Sequence, residues 1–413
     1  MKTAKRKIVW VSSLILDIHL HRTTQLEILK SFGKKGYDAL LIGMRSCKLF
    51  RLQDNSADNS IGCPRLLVIP VRYFPVLASV IYASVLTFLL PLIIIRNDPG
   101  FVIVEPGISV IGSIPGLVVS KIKKTKVVLD IRSVPVEVEG FRGLLKESGF
   151  RVSVFIAKRF FSGITTITLM MKKEICEEIF IKPNRVGVWT SGVSPALFDP
   201  NASLTHGIEL KKKLGLSGKF VVFYHGVLSS TRGITETIEA TKIIAKKYSE
   251  VVLFLLGSGP FASHLKSSIK QENIQNNVII HDAVDYEQVP KFISMCDVCI
   301  IPLPDYPYWR SQSPLKLFEY LSMEKTVIAT DLPAHRSVLG NQECGIYLSS
   351  TNPEVIAQAI EFALINKDKL RDWGKVGRTI VLRNYTWKKV AEDLEHYLFC
   401  IDSRCSRGEQ EQF

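Results

Sequence analysis

The stretch that decides the fold is Ser311 to Asp331, SQSPLKLFEYLSMEKTVIATD. Ser313 and Pro314 are typical of a helix start, since serine caps free N–H groups and proline suits the first turn. The apolar spacing that follows predicts a helix, and Thr326–Ala329 predicts a short buried strand. A helix followed directly by a buried strand is the repeating unit of parallel α/β sheets.

The same alternation continues in both directions along the chain. The strands predicted in the second half are Phe220–His225, Val251–Leu256, Val278–His281, Val298–Ile301, Thr326–Ala329 and Gly345–Leu348. Those predicted in the first half are Ile8–Val11, Ala39–Ile42, Leu66–Ile69, Phe101–Val104, Lys126–Asp130 and Gly163–Thr168, with a helix over Thr23–Lys34.

A turn-rich joint at Thr190–Pro195 separates the two halves. We therefore expect α/β domains over residues 1–192 and 193–384, each a doubly wound, Rossmann-like sheet. Residues 385–413 are expected to form a helix, Trp387–Phe399, that packs toward the first domain, and then a polar tail. Ligands are expected at the carboxyl ends of the strands, in a cleft that the two domains face.

Composition excludes several classes of protein. The 413 residues are 46% hydrophobic and 22% charged, which excludes a disordered chain, collagen and a small disulfide scaffold. The eight cysteines are scattered, so reduced thiols in a cytosolic protein are predicted. Basic residues precede the apolar run Ile8–Leu16, as in a secretory signal. That run is short and no small-residue cleavage site follows it, so a buried first strand is predicted instead.

The net charge of +14 lies entirely in the first half of the chain. Residues 1–192 hold 28 basic and 14 acidic side chains, whereas residues 193–413 hold 25 of each. Such asymmetry indicates an anionic partner, either nucleic acid or an acidic membrane surface. The mean hydropathy of +0.17 favours the membrane. Nucleic acid is not expected, because no aromatic residues interleave with the basic ones.

The uncharged run Val76–Ile95 has 20 residues and as a helix would measure ~30 Å, about the hydrocarbon thickness of a bilayer. Pro75 and Pro91 bracket or interrupt it, and α/β sequence continues on both sides. A single span and a buried or interfacial helix both remain open.

Three motifs in the second half follow predicted strands. Tyr224 to Ile234, YHGVLSSTRGI, contains Gly226 at a tight turn and Arg232 near a helix start, where anions bind. Leu256–Pro260 contains a pair of glycines. In the quoted stretch, Lys316 and Glu319 share a helix face and suit the phosphates and ribose of a nucleotide. Alternative interpretations are an ordinary βα turn with a surface arginine, and an exposed i,i+3 salt bridge.

In this order, the motifs resemble the family 4 retaining glycosyltransferases of the GT-B fold. The segment Arg185–Pro200 is similar to that family's interdomain segment, Val278–Pro290 to its nucleobase-recognising turn, and Cys296–Pro304 to its strand ending in Pro-x-Pro. The last similarity places Cys296 and Cys299 at a helix end and in a buried strand, rather than in a metal or redox site.

The resemblance implies transfer of a sugar from a nucleotide diphosphate-sugar donor, with retention of configuration. Arg232 and Lys316 are then catalytic as well as binding residues, because they and the helix starts at Gly233 and Ser313–Leu315 meet the charge of the leaving diphosphate. The implied donor-binding set is Gly226, Arg232, Gly257, Gly259, Ala283, Val284, Ser313, Leu315, Lys316 and Glu319. The chain contains no Asp-x-Asp, so neither a metal nor another cofactor is expected.

For the acceptor, Asp130 and Glu105 end adjacent predicted strands of the basic domain and are candidate catalytic carboxylates that orient a hydroxyl or accept its proton. The alternative is an ion pair between Asp130 and Arg132 or a solvated strand end. His19 and His21 are further candidates to enter the cleft. The resemblance implies a lipid-linked or glycan acceptor and a role in polysaccharide or glycoconjugate biosynthesis. With a lipid-linked acceptor, the basic half is expected to dock on the inner face of the membrane as part of a cytoplasmic enzyme.

The chain departs from the family pattern at several positions. Ser311 replaces the first glutamate of the Glu-x7-Glu element, Val227 replaces an arginine, and Ser12-Ser13 stands where a glycine-rich loop is usual. A non-catalytic subunit that binds a nucleotide sugar or a partner enzyme is therefore an alternative. A nucleotide-sugar 2-epimerase is another.

Overall fold

The structure, a computed structural model, describes residues 7–15, 22–46, 64–71, 75–136 and 140–403. It divides into two compact units. The first comprises Met1–Thr190 with Trp387–Phe413, and the second comprises Ser191–Thr386. His19 and His21 lie outside the described residues.

The first unit is a parallel sheet covered by helices. Its strands are β1 (Lys7–Ile15), β2 (Asp38–Ser46), β3 (Arg65–Val71), β4 (Phe101–Val104), β5 (Lys126–Ile131), β6 (Gly163–Thr166) and β7 (Val186–Val188). They are ordered β3-β2-β1-β4-β5-β6-β7. The helices are α1 (Arg22–Lys34), α2 (Pro75–Asn97), α3 (Ile108–Gly112), α4 (Ile114–Lys123), α5 (Gly140–Phe160) and α6 (Leu169–Ile179).

The second unit repeats this design. Its strands are β8 (Phe220–His225), β9 (Val251–Leu256), β10 (Val278–His281), β11 (Val298–Ile301), β12 (Val327–Thr330) and β13 (Gly345–Leu348), ordered β10-β9-β8-β11-β12-β13. Its helices are α7 (Pro200–Lys213), α8 (Ile234–Ala245), α9 (Ala262–Gln271), α10 (Val289–Ser294), α11 (Pro307–Arg310), α12 (Leu315–Ser322), α13 (Pro333–Leu339), α14 (Pro353–Ile365) and α15 (Lys367–Asn384).

Both sheets have the doubly wound order, which confirms the predicted fold class. The apolar runs of the central strands are buried on both faces, and one face of each sheet packs into a core cluster within its own unit. Five strands of the second unit have the predicted bounds. The predicted Thr326–Ala329 lies at Val327–Thr330 instead, and the Thr326 hydroxyl just before this strand donates to the carbonyl of Leu370.

The last helix of the described chain, α16 (Trp387–Ser403), belongs to the first unit although it follows the second in sequence. Its Tyr397 hydroxyl donates to the carbonyl of Arg185 at 2.6 Å and accepts from the amide of Ile164 at 3.2 Å. The helix is thereby fixed to the β6–β7 edge of the sheet.

Helix α2 contains the uncharged run. Over Leu77–Asn97 it is long and apolar enough to cross a membrane, and 33% of its apolar 18-residue window is buried. Pro91 lies inside the helix without ending it. Ala78, Tyr82 and Leu86 lie on the buried face, and they pack into the core of the first unit.

Cys296 and Cys299 are free thiols in the second unit, buried just before and within β11. Burial raises the pKa of both thiols. Both therefore pack as small apolar side chains in the neutral form.

Candidate functional site

The strand order of the second sheet reverses between β8 and β11, which is where open parallel sheets bind ligands. Gly226 follows β8 directly, and Lys316 comes from α12. A Cβ atom on Gly226 would lie 3.1 Å from the Nζ atom of Lys316. The structure therefore brings these two predicted residues together at the carboxyl end of β8.

The amine of Lys316 is buried, with 8% of the residue exposed, and has no hydrogen-bond partner among the described residues. Its Nζ atom lies 3.7 Å from the centroid of the Tyr224 ring. Burial lowers the pKa of Lys316 well below its usual value. The charge of Arg232 lowers this pKa further, and that of Glu319 opposes the shift. A buried unpaired donor indicates a missing acceptor, such as an anion.

Arg232 ends a 3-10 turn, Ser230–Arg232, before α8. Its guanidinium carbon lies 4.8 Å from the centroid of the Trp309 ring, and Trp309 Nε1 donates to the carbonyl of Thr231 at 3.1 Å. Gly233 has a φ of 69°, and a Cβ there would lie 1.8 Å from the carbonyl oxygen of Pro302. Only glycine permits this approach, so the loop that carries Arg232 is fixed against the end of β11.

Glu319 is buried and does not form the exposed salt bridge with Lys316 considered above; that interpretation is wrong. Its Oε1 accepts from the hydroxyl of Tyr286 at 2.8 Å, and its Oε2 lies 2.8 Å from Nε2 of His225. The Tyr320 hydroxyl accepts from the backbone amide of His225 and contacts its Nδ1, each at 3.0 Å. These contacts fit a His225 ring that carries its proton on Nε2 and donates it to Glu319. About half of the carboxylate's acceptor capacity remains for a ligand.

Gly257 and Gly259 face a neighbouring loop. A Cβ on Gly257 would lie 1.9 Å from the carbonyl oxygen of Gly226, and one on Gly259 would lie 2.3 Å from that of Leu228. Packing against the loop after β8 therefore explains by itself why both positions are glycine. Their contact with a donor stays a prediction.

Ala283 and Val284 follow β10, the first exposed and the second half-buried. The 3-10 turn Tyr286–Gln288 comes next and carries Tyr286 to Glu319. The predicted base-reading turn is therefore joined by a hydrogen bond to the predicted ribose-binding carboxylate. The reading of a base by Ala283 and Val284 stays a prediction.

Helix α12 begins at Leu315, one residue later than the predicted Pro314, and no side chain caps it. The predicted cap at Ser313 is wrong, because Pro314 occupies the N-cap position. The carbonyl of Ser313 accepts from the hydroxyl of Ser191 at 2.9 Å. Just before, the buried Nε2 of Gln312 has no hydrogen-bond partner among the described residues, so it is a second unpaired donor near the start of α12.

In the first unit, Glu105 is buried within a network of donors. Its Oε1 accepts from Trp10 Nε1 at 3.3 Å and from Gln25 Nε2 at 2.6 Å. Its Oε2 accepts from the Ser12 hydroxyl at 2.7 Å and from the Ser13 amide at 3.1 Å. Burial raises the pKa of Glu105 against these bonds. The alternative of a solvated strand end is wrong for Glu105. Its predicted catalytic role stays a prediction, and the four donors favour a structural role.

Asp130 is fully buried at the end of β5, so for this residue too a solvated strand end is wrong. Its Oδ1 accepts from the Thr165 hydroxyl at 2.7 Å and from Trp189 Nε1 at 2.8 Å, while Oδ2 has no partner among the described residues. Burial raises the pKa of Asp130, and Arg132 opposes the shift. An unpaired carboxylate oxygen suits a hydroxyl donor.

Arg132 stacks on Trp189 and is not joined to Asp130 in an ion pair. Its guanidinium carbon lies 3.6 Å from the ring centroid, and its NH1 donates to the carbonyl of Trp189 at 2.7 Å. Burial lowers the pKa of Arg132 to about 10, opposed by Asp130 and Glu105. Arg132 is half-buried.

Sequence reasoning missed several site residues: His225, Tyr286, Trp309, Gln312 and Trp189. His225, Tyr286, Gln312 and Trp189 stand inside segments already singled out, so attention to polar side chains between glycines and prolines could have found them. Trp309 carried no signal, because its partner Arg232 lies 77 positions earlier in the sequence.

The fold defines the class of protein: two doubly wound α/β domains in one chain, the GT-B architecture. Residues 208–380 match the family model described as glycosyl transferases group 1. The solved structure of Anabaena HepE in complex with UDP-glucose has a TM-score of 0.73 at 15% identity, covering 95% of this chain and 99% of that one. At that identity the likeness shows the fold alone.

Curated relatives point the same way. An uncharacterized glycosyltransferase of Methanocaldococcus jannaschii is 22% identical over 56% of this chain and 58% of its own length. The capsular polysaccharide biosynthesis glycosyltransferase CapM of Staphylococcus aureus is 27% identical over 63% of this chain and 69% of its own. In several other matches this chain spans about half of the relative or less. Residues 208–380 are thus similar to group 1 glycosyl transferases, and one of the relatives is named for polysaccharide biosynthesis.

Proposed function

We propose that the protein transfers a sugar from a nucleotide diphosphate-sugar to an acceptor hydroxyl. The observation that carries the proposal is the unpaired buried amine of Lys316, beside Gly226 and Tyr224 at the carboxyl end of β8. A diphosphate oxygen supplies the acceptor that this amine lacks. The family match over residues 208–380 and the UDP-glucose bound by HepE support the same ligand class.

In this proposal the donor's diphosphate binds Lys316 and Arg232, and its ribose binds Glu319. The loop glycines 226, 257 and 259, the Ala283–Val284 turn and the start of α12 from Ser313 to Leu315 complete the donor site. Tyr286 and His225 hold the carboxylate of Glu319 in place. Fixed donors and charges act without reorganisation during the reaction, so their stabilisation of the transition state is large.

The reaction breaks the bond between the sugar's anomeric carbon and the diphosphate oxygen, and forms one from that carbon to the acceptor oxygen. The proton of the acceptor hydroxyl passes to the released nucleoside diphosphate or to water. We propose that configuration is retained, that the cations Arg232 and Lys316 meet the leaving charge, and that no metal is required. Asp130 orients the acceptor hydroxyl through its unpaired Oδ2. Because Glu105 already accepts four hydrogen bonds, it positions the ends of β1 and β4 and is not proposed as the base.

The proposed acceptor is lipid-linked or glycan and belongs to polysaccharide or glycoconjugate biosynthesis, at the cytoplasmic face of a membrane. The name of CapM supports the pathway class. The excess of basic residues in the first half supports an anionic surface.

The test is donor turnover by the purified chain. We expect hydrolysis or transfer from a nucleotide sugar, lost in Lys316→Ala and Glu319→Ala but kept in Lys270→Ala, an exposed lysine of α9. Asp130→Asn should lower transfer to an acceptor while donor binding persists. A chelator should leave the rate unchanged, and product anomers measured by NMR should show retention.

A non-catalytic subunit is the alternative that a specific observation favours. Ser311 stands in place of the first glutamate, so this chain lacks a carboxylate at that position. A chain that binds nucleotide sugars but never releases the nucleoside diphosphate with any acceptor would establish this alternative. Slow conversion of the donor's sugar at carbon 2 would instead establish the 2-epimerase.

A further inference from the structure

Helix α2 has two apolar faces, and only one of them packs against the protein. Ala78, Tyr82, Leu86, Leu90 and Ile94 are buried in the core of the first unit, and the Tyr82 hydroxyl donates to the carbonyl of Ser12 at 2.6 Å. A helix with one face packed in a protein core is not surrounded by lipid, so its length alone does not make it a membrane span.

The other face of α2 is exposed and uncharged. It presents an apolar stripe at helical spacing that the exposed Ser84 interrupts between Val80 and Phe88, and Phe88 is 73% exposed. The exposed apolar residues of this stripe are Leu77, Val80, Phe88, Leu92 and Ile95. A core helix of a soluble protein would bury such residues, and an ordinary surface helix would replace them with polar ones.

A second stripe runs beside the first, because α3 and α4 pack closely against α2. A Cβ on Gly112 would lie 2.9 Å from the carbonyl oxygen of Ala83, and one on Gly116 would lie 2.8 Å from Leu90 Cδ2. Glycines at this spacing let the helix backbones approach. The exposed residues of the second stripe are Ile111, Ile114, Val118 (62%) and Ile122 (76%). These two stripes together form the α2–α4 face.

Basic residues lie at one end of the α2–α4 face. Helices α2 and α4 lead into β4 and β5, so their last turns lie at the amino edge of the sheet. Arg96 lies in the last turn of α2, and Lys121, Lys123 and Lys124 lie in or directly after the last turn of α4. Lys121 Nζ also lies 5.4 Å from the centroid of the Phe160 ring at the end of α5. An apolar stripe with cations at its margin matches the interface of an anionic bilayer.

We propose that the α2–α4 face docks on an anionic lipid leaflet, with both helices parallel to the membrane plane. The apolar stripes enter the headgroup and acyl boundary, and the basic end contacts the headgroups. The inference deepens the proposed function, on which it rests for the membrane acceptor. A second copy of this chain fits less well, because residues 1–192 carry twice as many basic as acidic side chains and two such faces would repel.

The test is co-sedimentation of the full chain with vesicles of phosphatidylcholine, with and without phosphatidylglycerol. We expect binding to the anionic vesicles, reduced by salt and at least about tenfold by Phe88→Glu with Val118→Glu. The matched control is Ile208→Glu with Ile365→Glu, two exposed apolar residues of α7 and α14, which should bind as the unmodified chain does. Lys121→Glu with Lys124→Glu should weaken binding and its salt dependence.

The depth to which the α2–α4 face enters the bilayer, and whether the chain spans it, are measured independently. Phe88→Trp and Val118→Trp should both shift their emission to shorter wavelength on anionic vesicles and be quenched by lipids brominated near the headgroup. Release by alkaline carbonate is expected for a docked protein. Three results would each overturn the inference. They are resistance to carbonate, vesicle binding by the Glu variants equal to that of the unmodified chain, and a dimer that those variants abolish while no form of the chain binds vesicles.

Failure of this inference is distinguishable from failure of the proposed function. Nucleotide diphosphate binding is measured on the same variants without vesicles, and none of the substituted residues lies in the second unit's site. Intact nucleotide binding without lipid binding removes the docking surface alone. Absence of nucleotide binding by the unmodified chain removes the proposed function.

Discussion

At the scale of single residues, the site depends on a buried lysine whose amine lacks a hydrogen-bond partner within the described part of the chain. Lys316 Nζ is buried over the Tyr224 ring, near Arg232, and no described residue accepts from it. A buried unpaired amine lowers stability and raises affinity for the ligand that pairs with it. The sequence showed a lysine on the right helix face, but its burial depends on strands more than 90 positions earlier and so could not be predicted.

Replacement of Lys316 by methionine should separate these two effects. We expect Lys316→Met to raise the melting temperature of the free protein, because an unpaired buried polar group costs about 1–3 kcal/mol. Its affinity for a nucleoside diphosphate should fall at least about tenfold, since a charge-assisted contact is lost. Thermal denaturation measures the melting temperature and titration calorimetry measures the affinity, with Lys270→Met as control. A variant that is less stable and binds normally would contradict the interpretation.

The same lysine predicts a pH dependence of donor binding. Because burial lowers the pKa of Lys316 in the free protein, its amine is neutral in part of the range where an ordinary lysine is charged. A bound diphosphate favours the charged form, so binding takes up a proton there. Affinity should therefore fall as pH rises from the lowered pKa toward that of the complex, and be flat below it. Calorimetry in buffers of different ionisation enthalpy should show proton uptake that Lys316→Met lacks.

Tyr286 should act as a positioning residue for Glu319. Its hydroxyl donates to Oε1 at 2.8 Å, so Tyr286→Phe removes one hydrogen bond worth about 1 kcal/mol, or roughly fivefold in affinity. We expect the donor KM to rise by that factor with little change in kcat. Tyr248→Phe is the matched control, because that hydroxyl bonds Glu361 on another surface. A fall in kcat alone would contradict the assignment.

At the scale of elements, strands were predicted more accurately than loops and helix ends. Parallel strands here are short apolar runs, so Val251–Leu256 and Val278–His281 have their predicted bounds. Strand β7, Val186–Val188, was missed because three residues around a glycine carry no periodicity. The segment Asp305–Gln312 was not predicted as an element either, although Trp309 of helix α11 contacts the loop that carries Arg232.

Helix α11 should therefore control diphosphate binding through Trp309. A cation over a tryptophan ring is worth about 0.5–2 kcal/mol, so Trp309→Ala should weaken nucleoside diphosphate binding several-fold, and Trp309→Phe should weaken it less. In an Arg232→Ala background Trp309→Ala should have little further effect, which a double-mutant cycle measures. Trp373→Ala on α15 is the control. Additive losses would show that Trp309 acts on something other than Arg232.

At the scale of the whole molecule, two units share one strand order but differ in chemistry. The first carries the charge excess, the apolar α2–α4 face and buried carboxylates, and the second carries the unpaired amine and Arg232. Charge and apolar content per half could be counted in the sequence. The sequence could not show which carboxylates already accept a full set of hydrogen bonds, because the donors to Glu105 come from β1 and α1, about 80 to 95 positions earlier.

A panel of nucleotides should show, in the intact chain, that the nucleotide site lies in the second unit and not in the first. A ligand that binds only the folded state adds about 2.7 kcal/mol at a hundred times its dissociation constant, so the melting temperature should rise by several degrees with a nucleoside diphosphate. The matching monophosphate should raise it less, because in the proposed site Arg232 and Lys316 both bind the diphosphate. Hydrogen exchange should slow in residues 224–233 and 311–319, and not in residues 101–131. Equal shifts from mono- and diphosphates, or protection confined to the first unit, would show that the amine of Lys316 awaits some other ligand.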